Sequence, residues 1–550
     1  MKSKNKQFVL LIVILLALPI VSINLSITNF ASVEDLEHNN AFENLKTSTV
    51  HNESLYIDDD NPLINWANRS AEGYCTGSGT SGDPYVISND IFDTDPNPYG
   101  IFIRDSRKHF KIVDCEFISS GTYGIFLFNT TNGIIENNQV SIPGTSFAID
   151  VTNCTDMVFR NNNCSLNGYG FHISGTSSLS FISNTVNENL FDGFVLDNCD
   201  DSTFEDNTAN ENGDEGFDIF TCSNNIYRGN TILNNSDYGM SFQSTSSFNR
   251  LESNTVNYND DGIYLAGSSN FNVISQNIVK ENDDDGIYIN SCNFNELLDN
   301  TVEDNVDDGI YLTSCQDSIL SENTATLNGG HGFRLNSVNN LTFSDNINSY
   351  NSEAGIFGNN IDNSLIEENY AHHNGWDGFR CVSGETNLIR NNQLTYNNQS
   401  GVHLTSGSGN NLFSQNLANS NYQHGISVSG CDNNVISGNT ANSNQMNGIH
   451  LLNSDNNFIL SNTANNNNNG TYLDTSGNNL VIGNIMLNNG VCYNETGSTG
   501  NVFEDNICSS TELPAVPLDP FILGLIIGLI IGLGALAAVV IFSLVRGRKK

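Results

Sequence analysis

The chain has 550 residues, of which 61 are acidic and 20 are basic, so its formal net charge is −41. This balance excludes nucleic acid as a partner, because binding to a phosphate backbone needs clusters of Lys and Arg. Such acidity has three possible explanations: it keeps a long rod soluble, it suits a surrounding of high salt concentration, or it binds cations.

The N-terminus has the pattern of an export signal. Lys2, Lys4 and Lys6 precede a 16-residue apolar run from Phe8 to Ile23, as in the charged and hydrophobic regions of such signals. No convincing small-residue cleavage site follows, so residues 1–23 are predicted to be a signal peptide or a signal anchor. Residues 24–74 are predicted to form an N-terminal linker and cap.

A glycine followed by alternating apolar residues then recurs every 22 to 24 residues. Its first copies are Tyr99–Ile103 and Tyr123–Leu127, and Ala148 replaces the glycine in one copy. Alternation after each glycine is typical of a strand, and a period this short leaves room for one turn of a β-solenoid. We therefore predict an all-β solenoid of roughly 18 coils over residues 75–508. The remaining glycines are Gly170, Gly193, Gly216, Gly239, Gly262, Gly286, Gly309, Gly332, Gly355, Gly378, Gly401, Gly425, Gly448 and Gly470.

Asparagine forms a second column with the same spacing, from Asn184 to Asn506, and most members follow an apolar residue by three positions, as Asn277 follows Ile274. Asparagine tolerates the left-handed turn conformation and can hydrogen-bond to its own copy in the next coil. This column therefore predicts a corner between strands.

The combined pattern, approximately G-I-x-L-x-x-S/C-x-x-N-x-I-x-x-N, resembles the right-handed parallel β-helix repeats of the pectin-lyase-like superfamily. It is most similar to the NosD-type β-helix domain, and Gly77–Ile87 resembles the entry sequence of such proteins. The resemblance implies the fold rather than the chemistry, since the superfamily contains lyases, hydrolases, epimerases, adhesins and inert spacers. The NosD name is tied to copper-centre maturation, but the chain has five methionines and no His/Met/Cys cluster, so copper is not carried over.

Half of the twelve cysteines occupy one position of the repeat, six residues after the glycine or Ala148, where other coils have Ser or Thr. A position that accepts these three residue types predicts a tight corner for a small buried side chain. Bridges between neighbouring coils, Cys199 to Cys222 and Cys292 to Cys315, remain an alternative because the coil spacing suits a disulfide.

Candidate binding residues lie on the outer face of the strand that follows each glycine. Tyr264, Tyr288 and Tyr311 hold the outward position in consecutive coils, and Arg334 follows them. An aromatic stripe beside carboxylates is typical of a groove for an extended polysaccharide, although a generic strand surface has the same appearance.

The same coils carry the densest acidic runs. Carboxylates at this spacing suit a hard cation, so calcium is predicted as a ligand, although no calcium-loop motif is present. The predicted ligands are Asp261, Asp284, Asp285 and Asp308, with Asp260, Asp283 and Asp307 beside them.

Asp285, Asp308 and the Gly-His-Gly that contains His331 lie on three successive coils, in an order similar to the polygalacturonase class of glycoside hydrolases. The resemblance implies Asp308, or Asp307, as general acid, Asp285 as the residue that holds the attacking water, and His331 as the residue that tunes their ionisation. The Asn-Thr-Asp and Arg-x-Lys of that class are missing. A lyase would need a basic residue beside the bound cation, and this stretch has almost none. A polysaccharide hydrolase or lyase stays as the alternative to a binding protein.

The C-terminal end predicts a membrane anchor. Residues 509–520 contain three prolines and form a stiff stalk, residues 521–545 are long and apolar enough to be a transmembrane helix, and residues 546–550 are a basic cytoplasmic tail. Gly524, Gly528 and Gly532 repeat on one helix face, which favours a homodimer in the membrane.

These features together predict a cell-membrane protein whose β-helix lies outside the cytoplasm and binds extracellular polysaccharide or a cell-surface glycan along its Tyr/Asp face. Two alternatives remain: a polysaccharide hydrolase or lyase of polygalacturonase-like type, and a structural surface spacer or adhesin without a small-molecule site.

Overall fold

The computed structural model describes residues 48–144 and 146–508. The predicted signal, the stalk, the transmembrane helix with Gly524, Gly528 and Gly532, and the basic tail lie outside these residues. Within the described part of the chain, no helix has the length and apolar character needed to cross a bilayer.

The described chain winds as a parallel β-solenoid in which each turn contributes one strand to a first sheet and one to a second sheet. Pairing is parallel and in register, so that Ile263, Ile287 and Ile310 follow one another in three successive turns. The first and second sheets have 19 strands each within the described residues, close to the roughly 18 coils predicted.

The first sheet comprises Leu55–Asp58, Tyr99–Arg104, Tyr123–Phe128, Phe147–Thr152, Tyr169–Ser177, Phe194–Asp200, Phe217–Phe220, Met240–Gln243, Ile263–Leu265, Ile287–Asn290, Ile310–Thr313, Phe333–Asn339, Ile356–Asp362, Phe379–Val382, Val402–Thr405, Ile426–Ser429, Asn447–Leu452, Asn469–Asp474 and Val491–Thr496. The second sheet comprises Tyr85–Ser88, Phe110–Val113, Gly133–Glu136, Val158–Arg160, Ser180–Ile182, Thr203–Glu205, Ile226–Arg228, Arg250–Glu252, Val273–Ser275, Glu296–Leu298, Ile319–Ser321, Thr342–Ser344, Leu365–Glu367, Leu388–Arg390, Leu412–Ser414, Val435–Ser437, Phe458–Leu460, Leu480–Ile482 and Val502–Glu504.

A third, less regular sheet closes each turn. Its strands are Thr49–His51, Asp90–Asp93, Glu116–Ser119, Gln139–Val140, Thr231–Leu233, Thr255–Asn257, Ile278–Lys280, Thr301–Glu303, Thr324–Thr326, Ile347–Ser349, Tyr370–His372 and Gln393–Thr395. Single parallel bridges extend the same row through the other turns, for example from Leu417 to Thr440.

The region predicted as a cap already contributes to the stack. Leu55–Asp58 pairs in parallel with Tyr99–Arg104, which adds a turn before the first repeat glycine. The helix Trp66–Ala71 begins after Asn65, whose side chain accepts from the backbone N–H of Asn68. Trp66 is buried, and its ring stacks on Tyr85 with the centroids 5.0 Å apart, so this helix covers the core near the N-terminal turns.

The repeat glycines are needed because adjacent turns approach closely at that position. A Cβ on Gly286 would lie 2.6 Å from the carbonyl oxygen of Gly309 and 2.3 Å from a methyl group of Val302. The next residues alternate: Ile287 and Ile289 are buried, while Tyr288 between them faces outward. Each fully buried aliphatic side chain contributes roughly 1.5–3 kcal/mol to folding.

The predicted asparagine column is confirmed as a hydrogen-bonded ladder. The backbone N–H and the side-chain amide of Asn277 both donate to Oδ1 of Asn300 at 3.0 Å, and Nδ2 of Asn300 donates to the Ile274 carbonyl at 2.8 Å. The expected left-handed conformation belongs instead to the preceding residue, such as Asp299 with φ 55°, because the asparagine side chain has to point inward.

Two further asparagine ladders, which the sequence analysis missed, run along the other corners. Asn282 donates to Asn305 at 2.9 Å in one ladder, and the N–H of Asn434 donates to Asn457 at 2.8 Å in the other. Each corner of the solenoid therefore has buried amides that join one turn to the next over much of its length.

The cysteine column is buried, as predicted for a tight corner, and its members are free thiols. Cys222 and Cys315 point their sulfur atoms at carbonyl oxygens of Phe220 and Thr313 in their own turns, at 3.0 and 3.2 Å, so the bridges considered between neighbouring coils do not form. A disulfide joins Cys492 to Cys508 instead, in the last described turn.

The ladder predicts a large effect for a single buried amide. In Asn300→Ala, two donors of Asn277 and the carbonyl of Ile274 lose their partners in the protein interior, so we expect a loss of about 2–4 kcal/mol in unfolding free energy. Urea unfolding followed by circular dichroism measures this loss. Asn398→Ala, at an exposed side chain, is the control and should change stability by less than about 0.5 kcal/mol; equal midpoints for the two variants would contradict the ladder.

Candidate functional site

The acidic residues before the repeat glycines form a structural ladder on the edge of the first sheet. Oδ1 of Asp261 accepts the N–H of Asp285 at 2.8 Å, Oδ1 of Asp285 accepts the N–H of Asp308 at 2.9 Å, and Oδ1 of Asp308 accepts the N–H of His331 at 2.7 Å. All three carboxylates are buried. One oxygen of each is thus committed to the stack, and the second oxygen is left for other contacts.

Burial shifts the ionisation of this ladder. It raises the pKa of Asp261 to about 7 and that of Asp285 to about 9, and for Asp285 the neighbouring carboxylates of Asp308 and Asp261 add to the effect. Burial raises the pKa of Asp308 only to about 6, because the N–H of His331 and the guanidinium of Arg334 favour its charged form. Asp285 is therefore protonated at neutral pH, whereas most Asp308 is ionised.

The ring of His331 is turned toward the next turn of the solenoid. Its Nδ1 accepts the N–H of Ala354 at 3.0 Å, and its Nε2 lies 3.0 Å from a carboxylate oxygen of Glu353. Burial lowers the pKa of His331 to about 3, so the ring is neutral. The structure thus brings the backbone of His331, and not its ring, to Asp308, and the catalytic role of Asp285, Asp308 and His331 stays a prediction.

The tyrosine stripe is stacked upon itself. The rings of Tyr288 and Tyr311 lie 4.8 Å apart and within 5° of parallel, and Tyr264 lies 5.3 Å from Tyr288. Cζ of Arg334 lies 4.6 Å from the centroid of Tyr311 and covers the end of the stack. Tyr288 and Tyr311 cover each other's faces, whereas Tyr264 is tilted by 44° against Tyr288. The stacked pair therefore presents ring edges and hydroxyl groups to solvent and offers little surface on which a sugar ring could stack.

A second group of side chains lies further along the same face. We define the Arg–Trp cluster as Arg334, Trp376, Asp377, Arg380 and His403. Asp377 is fully buried, and its Oδ2 lies 3.6 Å from Nη1 of Arg380 and 3.3 Å from Nδ1 of His403. Cζ of Arg380 lies 5.8 Å from the centroid of Trp376.

Arg334 lies on the same face two turns before Arg380, with Phe357 at the equivalent position between them. Nη1 of Arg334 lies 3.2 Å from Oδ2 of Asp308, Asp308 accepts the N–H of His331, and the ring of His331 lies edge-on to Trp376 at 5.6 Å. Sequence reasoning identified Arg334 but not Trp376. The available signal was that Trp376, one of two tryptophans in the chain, directly precedes Asp377 and the repeat glycine.

Acidic side chains could hold a metal ion at three places among the described residues. One group is Asp284, Asp285 and Asp307. Of the predicted calcium ligands, it contains Asp284 and Asp285, whereas Asp261 and Asp308 lie outside it. The other two groups share Glu215 and are Asp192, Glu215 and Asp218, and Asp214, Glu215 and Asp237. Burial and a hydrogen bond with Asp192 raise the pKa of Glu215 to about 10.

A family model described as "Right handed beta helix region" matches residues 99–256, 214–324, 241–394 and 285–430 in overlapping segments. The chain belongs to this family. Residues 410–513 also match a model described as "Periplasmic copper-binding protein (NosD)". The resemblance to right-handed parallel β-helix repeats with a NosD-type domain is thereby confirmed. The comparison with curated proteins found no match.

Three solved structures are similar to this chain at low sequence identity. The mannuronan C-5 epimerase AlgE6 A-module of Azotobacter vinelandii is 11% identical over 76% of this chain and 92% of its own, with a TM-score of 0.27. The periplasmic alginate epimerase AlgG is 14% identical over 66% and 77%, with a TM-score of 0.28. The Dettilon tailspike protein is 13% identical over 56% and 60%, with a TM-score of 0.33.

Copper does not fit the residues of the NosD-matched segment. Cys492 and Cys508 are joined in a disulfide, and Cys431 is buried. His424 and His450 stack with their centroids 4.5 Å apart, so their ring planes run side by side. Among the described residues, no group of three His, Cys, Asp or Glu donors falls within residues 410–513. Copper binding in NosD-type proteins is therefore not extended to this chain.

The ionisation of the acid ladder predicts how stability depends on pH. Asp285 has a pKa of about 9 in the folded protein and an ordinary value of 3.8, so the folded state keeps a proton that the unfolded chain has released. This stabilisation is complete below about pH 4 and is lost as the pH rises toward about 9. We expect the urea midpoint to fall from pH 5 to pH 9.

Asp285→Asn tests this assignment, because an amide oxygen can still accept the N–H of Asp308 without ionising. The variant should match the parent at pH 5 and exceed it by at least about 1 kcal/mol at pH 9. Asp304→Asn, at an exposed carboxylate, should follow the parent at both pH values. A parent and an Asp285→Asn variant with the same pH profile would show that Asp285 does not retain its proton.

Proposed function

We propose that this protein is exported, anchored in the cell membrane by residues 521–545, and binds extracellular polysaccharide through the Arg–Trp cluster on the first sheet of its β-helix. The observation that carries this proposal is that two guanidinium groups, an indole and a His–Asp pair lie on one face, with Phe357 in the turn between Arg334 and Arg380. Stacking and charged hydrogen bonds are the contacts by which proteins hold sugar chains.

The cluster also selects the kind of sugar chain. Arg334 and Arg380 carry fixed positive charge on a strongly acidic rod, and a planar guanidinium forms two parallel hydrogen bonds with a carboxylate. A polysaccharide that carries carboxylates, such as polygalacturonate, matches this chemistry. The stacked tyrosines Tyr264, Tyr288 and Tyr311 would then line the approach with their hydroxyl groups.

Anchoring rests on sequence alone. The export signal, the apolar stretch of residues 521–545 and the basic residues that follow it support a β-helix outside the cytoplasm. Gly524, Gly528 and Gly532 support association of two anchors.

Arg380→Ala tests the polysaccharide site. The change removes a guanidinium from beside Trp376 and leaves Asp377 with His403 as its remaining side-chain partner, so we expect binding to polygalacturonate to weaken at least about 10-fold. Affinity electrophoresis measures the change. Arg228→Ala, which removes an exposed arginine of the second sheet, is the matched control, and Tyr288→Ala should have a small effect because its ring faces are covered. Equal migration of the parent and Arg380→Ala would contradict the proposal.

The same preparation distinguishes the two alternatives. A hydrolase would release reducing ends from polygalacturonate, and Asp308→Asn should then lower that rate at least about 100-fold, as expected for loss of a general acid. A spacer or adhesin would neither bind nor cleave the chain.

Calcium is proposed as a ligand of Asp284, Asp285 and Asp307. Millimolar calcium should raise the melting temperature because the ion binds the folded state, and the rise should grow as the pH increases toward about 9, where Asp285 begins to release its proton. Asp284→Asn combined with Asp307→Asn should abolish the rise, whereas Asp299→Asn at an exposed carboxylate should leave it intact. If calcium leaves the melting temperature of the parent protein unchanged, the proposed calcium site is wrong.

A further inference from the structure

A groove lies on the corner between the third and first sheets, where Gly375 of its lining directly precedes Trp376 of the Arg–Trp cluster. It has a volume of about 530 Å³, and its walls include Tyr350, His373, Tyr396, Ser420 and Tyr422. This size lies within the range of roughly 300–1,000 Å³ typical of sites for small ligands.

The groove exists because an aromatic stack ends there. Tyr350, His373 and Tyr396 occupy the same left-handed corner position in successive turns, with φ between 57° and 58°. Their rings stack with centroids 5.0 and 5.3 Å apart. In the next turn this position is Ser420, also left-handed with φ 58°, whose short side chain leaves the second face of Tyr396 uncovered by a further ring.

A second row of residues forms the opposite wall. Gly375, Asn398 and Tyr422 follow the corner by two residues in consecutive turns, and each N–H donates to an asparagine carbonyl of the preceding turn, at 2.9 to 3.0 Å. Gly375 has no room for a side chain, since a Cβ would lie 1.9 Å from the carbonyl oxygen of Ser352. The groove is therefore open beside His373 and bounded by the rings of Tyr396 and Tyr422, which are 56% and 55% exposed.

The chemistry of the walls selects the ligand. None of the residues that line the groove is Asp, Glu, Lys or Arg, in a chain that has 61 acidic residues. Beside the ring nitrogens of His373, the polar groups include the amides of Asn398 and Gln445 and the hydroxyl groups of Ser420 and the tyrosines, and these amides and hydroxyl groups donate and accept hydrogen bonds without charge.

We infer that this groove is a binding site for a neutral saccharide, with a sugar ring stacked on the open face of Tyr396 above Ser420 and its hydroxyl groups bonded to the amides and to Tyr422. An aromatic face bordered by uncharged donors and acceptors suits the apolar face and hydroxyl rim of a pyranose ring. The site is independent of the Arg–Trp cluster, which is proposed to take a chain that carries carboxylates.

The test uses full-length protein in a detergent without a sugar headgroup, with cellohexaose, maltohexaose and mannohexaose as probes in isothermal titration. Tyr396→Ala should weaken binding of the recognised hexasaccharide about 10-fold, since it removes the stacking face. Ser420→Tyr should weaken it at least as much, because the added ring would extend the stack and fill the groove. Tyr350 and Tyr396 occupy the equivalent corner position in their own turns, so a tyrosine at position 420 fits the fold.

Tyr258→Ala is the matched control. Tyr258 occupies the same left-handed corner, with φ 60° and 46% exposure, but it lies outside the groove, so its loss should leave the titration unchanged. Arg380→Ala should also leave hexasaccharide binding unchanged while it weakens binding to polygalacturonate, which separates a failure of this inference from a failure of the proposed function. Absence of binding to all three probes by the parent, or parent-like affinity in Ser420→Tyr, would overturn the inference.

Discussion

The hydrogen bond from one buried asparagine to the next is the interaction on which the solenoid depends. Each corner turns through a left-handed residue, such as Asp299, and leaves inward-facing N–H groups that no strand can pair. The amide oxygen of Asn300 accepts two of these donors from the turn of Asn277. Since a buried N–H without a partner costs as much as a lost hydrogen bond, the corners require a side chain with both a donor and an acceptor, and asparagine is the short residue that supplies them.

The same requirement accounts for the acidic residues that look most functional in the sequence. The position before the repeat glycine supplies an acceptor to the next turn in several turns, where Asp285, His331 and Asp377 use a carboxylate oxygen or a ring nitrogen. Ala354 at the same position shows that the stack also accepts a residue without one. Functional contacts can use only the atoms that are outside these hydrogen bonds between turns, such as the second oxygen of Asp308, which lies beside Arg334.

The fold was predictable from sequence because its causes are periodic. The repeat glycine shows where adjacent turns approach closely, and the alternation of apolar residues shows which face of each strand is buried. One asparagine ladder repeats with the same period, so the strands of successive turns are expected to stack in register. The site was less predictable, because it depends on how side chains turn. Nothing in the spacing of Tyr288 and Tyr311 says whether their rings face solvent or each other, and the groove beside Tyr396 depends on a single serine in the next turn. The disulfide between Cys492 and Cys508 occurs in a single turn of the described chain, so no repeating pattern in the sequence predicts it.

That disulfide has a consequence for how the last described turn responds to a pulling force. Val491–Thr496 is the last strand of the first sheet in the described chain, and strands at an exposed end can be peeled away one hydrogen bond at a time. Because Cys508 is bonded across 16 positions to Cys492, a pull on the chain beyond residue 508 reaches the final strand through its sulfur atoms. Residues 493–507, which contain Val502–Glu504 of the second sheet, are then bypassed by the tension and stay closed as a loop.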